Sequence, residues 1–123
     1  MKITWVTIKV TNLEESKSFY ENFLGLKLKT EFSPMEGMTI AFLKAENGIE
    51  IELIYNKNIQ LEVKDSNISI GIALNNFDEI YEKAKLDKMK TSEKITMPNG
   101  MECFFVQDPN RVEIQVIREE SLK

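Results

Sequence analysis

The chain has 123 residues, 42% hydrophobic and 29% charged, enough to bury a core and unlike a disordered or fibrous composition. Twenty acidic against sixteen basic residues give a formal net charge of −4, which argues against a nucleic-acid partner held through phosphates. No apolar run approaches the roughly 20 residues that span a bilayer, the opening residues lack a signal-peptide pattern, and the single Cys103 precludes an internal disulfide, so a cytoplasmic protein without a membrane partner is expected.

In chain order, an alternating segment comes first, with Val6, Ile8 and Val10 on one side and Trp5, Thr7 and Lys9 on the other. Asn12 and Glu15 have capping-box spacing, and Leu13, Phe19, Tyr20, Phe23 and Leu24 form a helical stripe that Gly25 stops. Strands follow at about 27–33, 38–44 and 49–56, the last two joined by an Asn47-Gly48 hairpin signal. Residues 57–67 are polar and aperiodic and read as a linker. The pattern then starts again with Ile68, Ile70, Ile72 and Leu74, capping-box spacing at Asn76 and Glu79, and a shorter stripe of Phe77, Ile80, Tyr81 and Ala84. Strands are predicted near 90–96, 101–106 and 111–119, with Asp108-Pro109-Asn110 as the turn between the last two.

These halves are copies. Residues 35–54 laid over 98–117 without a gap match at seven of twenty positions, among them Phe42/Phe105 and Asn47/Asn110. About one match in twenty is expected for unrelated segments. Residues 6–15 repeat over 70–79, at an offset of 64 rather than 63. The fold class is therefore α+β: two tandem β-α-β-β-β modules (1–56 and 68–119) in a single domain spanning 1–123. They are expected to form an eight-stranded cupped mixed sheet with helices on its convex face.

Four strands sort into an apolar face for the helices and a second face carrying Trp5 and Thr7, Glu50 and Glu52, Ser69 and Gly71, and Glu113 and Gln115. An antiparallel sheet often shows such a face to water. Tryptophan is costly to leave there, and Ser69, Gly71 and Ala73 carve space, so this face reads as a small-molecule site. Cys103 lies inside a strand and reads as a buried structural thiol, and Lys83, Lys85, Lys88 and Lys90 read as a solvated face.

The segments VTNLEESKSFYENFLGLKL (10–28), IELIYN (51–56) and DPNRVEIQVI (108–117), together with the repeat, resemble the vicinal oxygen chelate superfamily, the glyoxalase/bleomycin-resistance/dioxygenase group. The resemblance implies an eight-stranded open sheet and a homodimer. Metal-dependent members hold a divalent ion with one side chain from the first and last strand of each module, positions that fall here on Trp5, Glu52, Ser69 and Gln115. Only Glu52 is a good ligand, indole offers a metal no lone pair, and the chain contains no histidine, so no metal and no cofactor are expected.

Three readings of the site follow. The first is a binding protein akin to the bleomycin-resistance members, sequestering a planar or cationic ligand against Trp5 with Thr7, Glu52, Ser69, Gly71 and Gln115 around it. Glu50 and Glu113 would add negative charge there, unless they stand merely as solvated rim residues. The second is a metal-independent lyase- or isomerase-like enzyme with Glu52, partly desolvated near Trp5, as general base. The third is a non-catalytic interaction protein whose pocket Trp5 plugs.

Overall fold

In the computed structural model, which describes residues 1–122, each repeat folds as a β-α-β-β-β module around its own four-stranded mixed sheet. The chain separates into two units, Met1–Val63 and Lys64–Lys123. The first contains β1 (Trp5–Val10), α1 (Leu13–Lys17) running into a π-helical turn (Ser18–Phe23), β2 (Lys27–Phe32), β3 (Met38–Lys44) and β4 (Glu50–Asn56), in sheet order β1-β4-β3-β2. The second contains β5 (Ser69–Leu74), α2 (Phe77–Leu86), β6 (Ile95–Thr96), β7 (Glu102–Gln107) and β8 (Glu113–Arg118), in order β5-β8-β7-β6. In each sheet the first strand runs parallel to the last, and the remaining pairings are antiparallel.

The two helices start and proceed differently. Asn12 is extended (φ −144°, ψ 107°), and its Oδ1 accepts a hydrogen bond from the Glu15 amide at 3.0 Å. Asn76, at φ −104° and ψ 39°, makes no side-chain cap, so the predicted second capping box does not form. A ψ folded back from the extended range swings the Asn76 side chain away from the amides it would cap. The repeat offset is 64 between Asn12 and Asn76 but 63 between Gly25 and Lys88, so the first helix holds one residue more. A π-turn absorbs one extra residue without breaking a helix. The turn at Ser18–Phe23 does so, with the Leu24 amide donating to the Phe19 carbonyl at 3.0 Å.

Each helix covers the apolar face of its sheet. Phe19, Tyr20, Phe23 and Leu24 are buried in the first unit with Ile8, Val10, Leu43, Ile51 and Leu53. In the second, Phe77 and Tyr81 pack on Phe104 at ring-centroid separations of 5.3 and 5.1 Å, with Ile114 and Val116 buried in the same sheet. Burying each of these large side chains contributes about 1.5–3 kcal/mol.

An ionic lattice closes the second unit. Arg118 forks onto Asp78 of α2 with Nη2–Oδ1 at 2.8 Å and Nη1–Oδ2 at 3.0 Å, reaches Glu102 at 3.1 Å, and lies 4.6 Å over the Phe77 ring. Lys94 reaches the same Asp78 at 2.9 Å. Lys85, exposed as expected of a solvated face, also bonds to Tyr81 at 3.2 Å and Glu93 at 3.3 Å.

Two loops differ in how firmly they are fixed. At the Asn47-Gly48 hairpin, Gly48 takes φ +90° and the Ile49 amide reaches Asn47 Oδ1 at 3.4 Å. At the equivalent turn the buried Asp108 carboxylate accepts from the amides of Asn110 and Val112, both at 2.8 Å. The strand predicted at 90–96 shrinks to Ile95–Thr96 with an isolated Thr91–Val106 bridge. Ser92 interrupts it, because its hydroxyl oxygen accepts from the Phe105 amide at 2.8 Å in place of a backbone carbonyl. Among the described residues, no helix is long and apolar enough to cross a membrane.

Candidate functional site

The two sheets carry matching rows of side chains on the face turned away from their helices. In the first unit Thr7 stands opposite Glu52 across the parallel ladder, and Glu52 stands opposite Phe42 across the antiparallel one. In the second, Gly71, Gln115 and Phe105 occupy the corresponding row. Two residues earlier, on the same faces, Trp5 pairs with the backbone of Glu50, and Ser69 with that of Glu113. The repeat thus places all six predicted site residues at equivalent positions: Trp5, Thr7 and Glu52 together in one unit, and Ser69, Gly71 and Gln115 together in the other.

The chemistry within the rows differs. Thr7 Oγ1 donates to Glu52 Oε1 at 2.5 Å, leaving Oε2 without a protein partner among the described residues. Gly71 offers no such hydroxyl, and the Gln115 amide turns instead to the sulfur of buried Cys103 at 3.4 Å. Trp5 is 48% exposed and meets Phe42 edge-on, with ring centroids 5.4 Å apart at 78°. Strands lie about 4.8 Å apart, so the rings of Trp5 on β1 and Phe42 on β3 meet over β4, on the face that carries Glu50 and Glu52.

Glu50 and Glu113 part company. Glu50 is only 9% exposed and bonds the half-exposed Lys29 at 2.7 Å, so it is a buried carboxylate with a cation at its rim rather than a solvated rim residue. Glu113 is partly exposed. A Cβ added at Gly71 would meet nothing closer than Ile117 Cδ1 at 3.6 Å, so packing within the unit does not demand glycine there. Phe42 and Phe105 are further members of the two rows that the strand alternation alone did not single out. Their identity across the repeat was the available signal.

The four residues that the family resemblance would set at metal positions have side chains poorly suited to a divalent ion. Trp5 has no lone pair to give, and the Ser69 hydroxyl and the Gln115 amide oxygen are weak neutral donors, leaving one carboxylate where about three protein ligands are needed. Among the described residues, no group of three or more His, Cys, Asp or Glu side chains is arranged to hold a metal ion. Separately, a groove of about 540 Å³ opens at the far end of β1 and β4, lined by Val10, Thr11, Tyr55, Asn56 and residues 57–61. None of the predicted site residues lines it.

Comparison with known proteins agrees with this architecture. The family model of the Glyoxalase/Bleomycin resistance protein/Dioxygenase superfamily matches residues 2–116. The chain is 32% identical over 114 residues to the protein YwbC of Bacillus subtilis, covering 89% of this chain and 90% of that one. It is 30% identical to a lactoylglutathione lyase of Haemophilus influenzae, covering all of this chain and 96% of the lyase. In fold it is similar to glyoxalase I of Leishmania major, with a TM-score of 0.81 and 23% identity over 99% of this chain and 89% of that one. With two β-α-β-β-β modules and a matching family model over almost its full length, the chain belongs to the glyoxalase/bleomycin resistance protein/dioxygenase superfamily.

Proposed function

We propose that the protein is a small-molecule-binding member of this superfamily that works without the inherited divalent-metal site. Its ligand-facing residues are Trp5, Thr7 and Glu52 in the first unit and Ser69, Gly71 and Gln115 in the second. The observation that carries the reading is the half-exposed Trp5 indole at a position where metal-dependent members present a ligand to the ion. An aromatic surface beside a carboxylate favours a planar or cationic compound. In this reading the protein is a cytoplasmic homodimer, and light scattering on the purified chain tests the assembly. Trp5 is the only tryptophan, so its emission reports on the site directly. Saturable quenching by organic ligands but not by Ni²⁺, Co²⁺ or Zn²⁺ is expected. Saturable metal quenching that disappears in Glu52→Ala overturns it.

A second reading is supported by the likeness to a lactoylglutathione lyase: a metal-independent lyase or isomerase with Glu52 as general base. The Thr7 hydroxyl orients that carboxylate, but a neutral alcohol is a poor proton donor, and this weighs toward binding. Turnover of lactoylglutathione by chelator-treated protein, abolished in Glu52→Gln, would establish the enzymatic reading instead. A plug formed by Trp5, as an interaction protein would require, is disfavoured by its 48% exposure.

A further inference from the structure

We propose that the Trp5 face of the first unit selects a protonated primary or secondary amine carried on a flat ring, the ring lying against Trp5 and an N–H donated to Glu52 Oε2. The proposal rests on the binding reading above and narrows it to one chemical class.

Charge on this face is unevenly compensated. Two carboxylates of β4 point to it, and they differ in what they meet. Glu50 is nearly buried, and its charge is met by Lys29 at 2.7 Å. Glu52 receives only a neutral hydroxyl from Thr7, so its negative charge is uncompensated. Lys9, opposite Ile54, and Lys44, opposite Glu50, share the face, but neither forms an ion pair with Glu52 among the described residues.

Geometry then decides which cation. Thr7 occupies Oε1, and the remaining oxygen accepts a single strong, charge-assisted bond from an N–H donor. A quaternary ammonium brings the charge without the hydrogen bond, and an alcohol brings the bond without the charge. The Trp5 indole meets Phe42, the β3 partner of Glu52, and so sets an aromatic surface on the same face as that carboxylate, where it attracts both a flat ring and a cation. The second unit's row of Gly71, Gln115 and Phe105 carries no charge, so the position equivalent to Glu52 offers no anchor for an amine there.

The test follows the indole N–H resonance of Trp5 in ¹⁵N-labelled full-length protein, titrated separately with benzylammonium, benzyltrimethylammonium and benzyl alcohol. Benzylammonium is expected to saturate at a concentration about tenfold below the other two, the effect of one charge-assisted bond. In Glu52→Gln that advantage disappears while weak binding of all three persists. In Thr7→Val, which keeps the charge, the preference for benzylammonium over benzyl alcohol remains. Equal affinity for the three probes, or a preference that survives in Glu52→Gln, overturns amine selection and leaves the binding reading standing. Absence of a saturable shift with any ring-bearing probe overturns both.

Discussion

Gly25 and Lys88 occupy the same position in the two copies, one residue past the C-cap of a helix, and both take left-handed backbone, at φ +90° and +57°. In each case the following amide folds back onto the helix: Leu26 donates to the Tyr20 carbonyl at 2.9 Å and Met89 to the Ala84 carbonyl at 3.0 Å. Only glycine adopts this conformation without a steric penalty, which for other residues is about 1–2 kcal/mol.

Exchange of the two residues should therefore act in opposite directions. Lys88→Gly is expected to stabilise the protein by about 0.5–1 kcal/mol, the steric gain less the entropy glycine loses on folding. Gly25→Ala is expected to destabilise it by about 1–2 kcal/mol, although a Cβ at Gly25 meets no atom within 4 Å. Chemical denaturation of the three proteins decides the matter. A destabilised Lys88→Gly would mean that the lysine side chain, rather than the backbone, holds the stop.

The Asp108 turn carries its stability in one buried carboxylate that accepts two backbone amides at 2.8 Å. Asp108→Ala leaves those donors without their acceptor and is expected to cost about 2–3 kcal/mol. Asp108→Asn keeps one acceptor oxygen and should recover part of that loss. Urea unfolding midpoints would show the ranking, and an alanine variant as stable as the parent would mean that water replaces the carboxylate at no cost.

Around Trp5 the prediction is spectroscopic. Phe42→Leu preserves apolar volume but removes the edge-on ring contact, worth about 0.5–1.5 kcal/mol. Trp5 emission should shift to the red and its affinity for ring-bearing ligands should fall. Thr7→Val, which does not touch the indole contact, should leave the emission maximum in place and change stability by less than about 1 kcal/mol. A maximum unmoved by Phe42→Leu would show that the indole is held by something other than Phe42.

Much of this was legible in the residues because the chain states it twice. Strand alternation separated the helix-covered face from the face of Trp5 and Glu52, and the ladders place Phe42 against Glu52 just as they place Phe105 against Gln115. Even the π-turn left a trace, in the change of repeat offset from 64 to 63 across the first helix. Other features left none. Asn76 and Glu79 have the same spacing as Asn12 and Glu15, but a cap depends on a ψ angle that spacing does not encode. The strand expected near 90–96 shortens to Ile95–Thr96, and residues 90–94 contain no apolar residue to hold an alternation. The Lys29 to Glu50 pair joins residues 21 apart across two strands, and no local pattern marks it.

The Arg118–Asp78 pair sets an acid limit that can be measured. Hydrogen bonds from Arg118 and then from Lys94 hold the Asp78 carboxyl down from 3.8 to about 2, while Arg118 itself is raised further above its ordinary value, chiefly by Asp78. A carboxyl whose pKa is lower in the folded protein contributes stability that is complete above its unfolded value and is lost as pH falls through the folded one. The window for Asp78 therefore runs from about pH 4 down to about pH 2. The Asp78 side chain is 58% exposed, so salt should screen the effect. Stability of the parent protein is expected to fall more steeply across this window than that of Asp78→Asn, which has no proton to gain there. Replacing Arg118 by glutamine removes the leading cause, and a carbon-detected titration of Asp78 in that variant should return its midpoint toward 3.8. If Asp78→Asn and the parent lose stability in parallel between pH 4 and 2, the lattice that ties α2 to β8 adds nothing to acid resistance, and what holds α2 in acid is the burial of Phe77, Ile80, Tyr81 and Ala84.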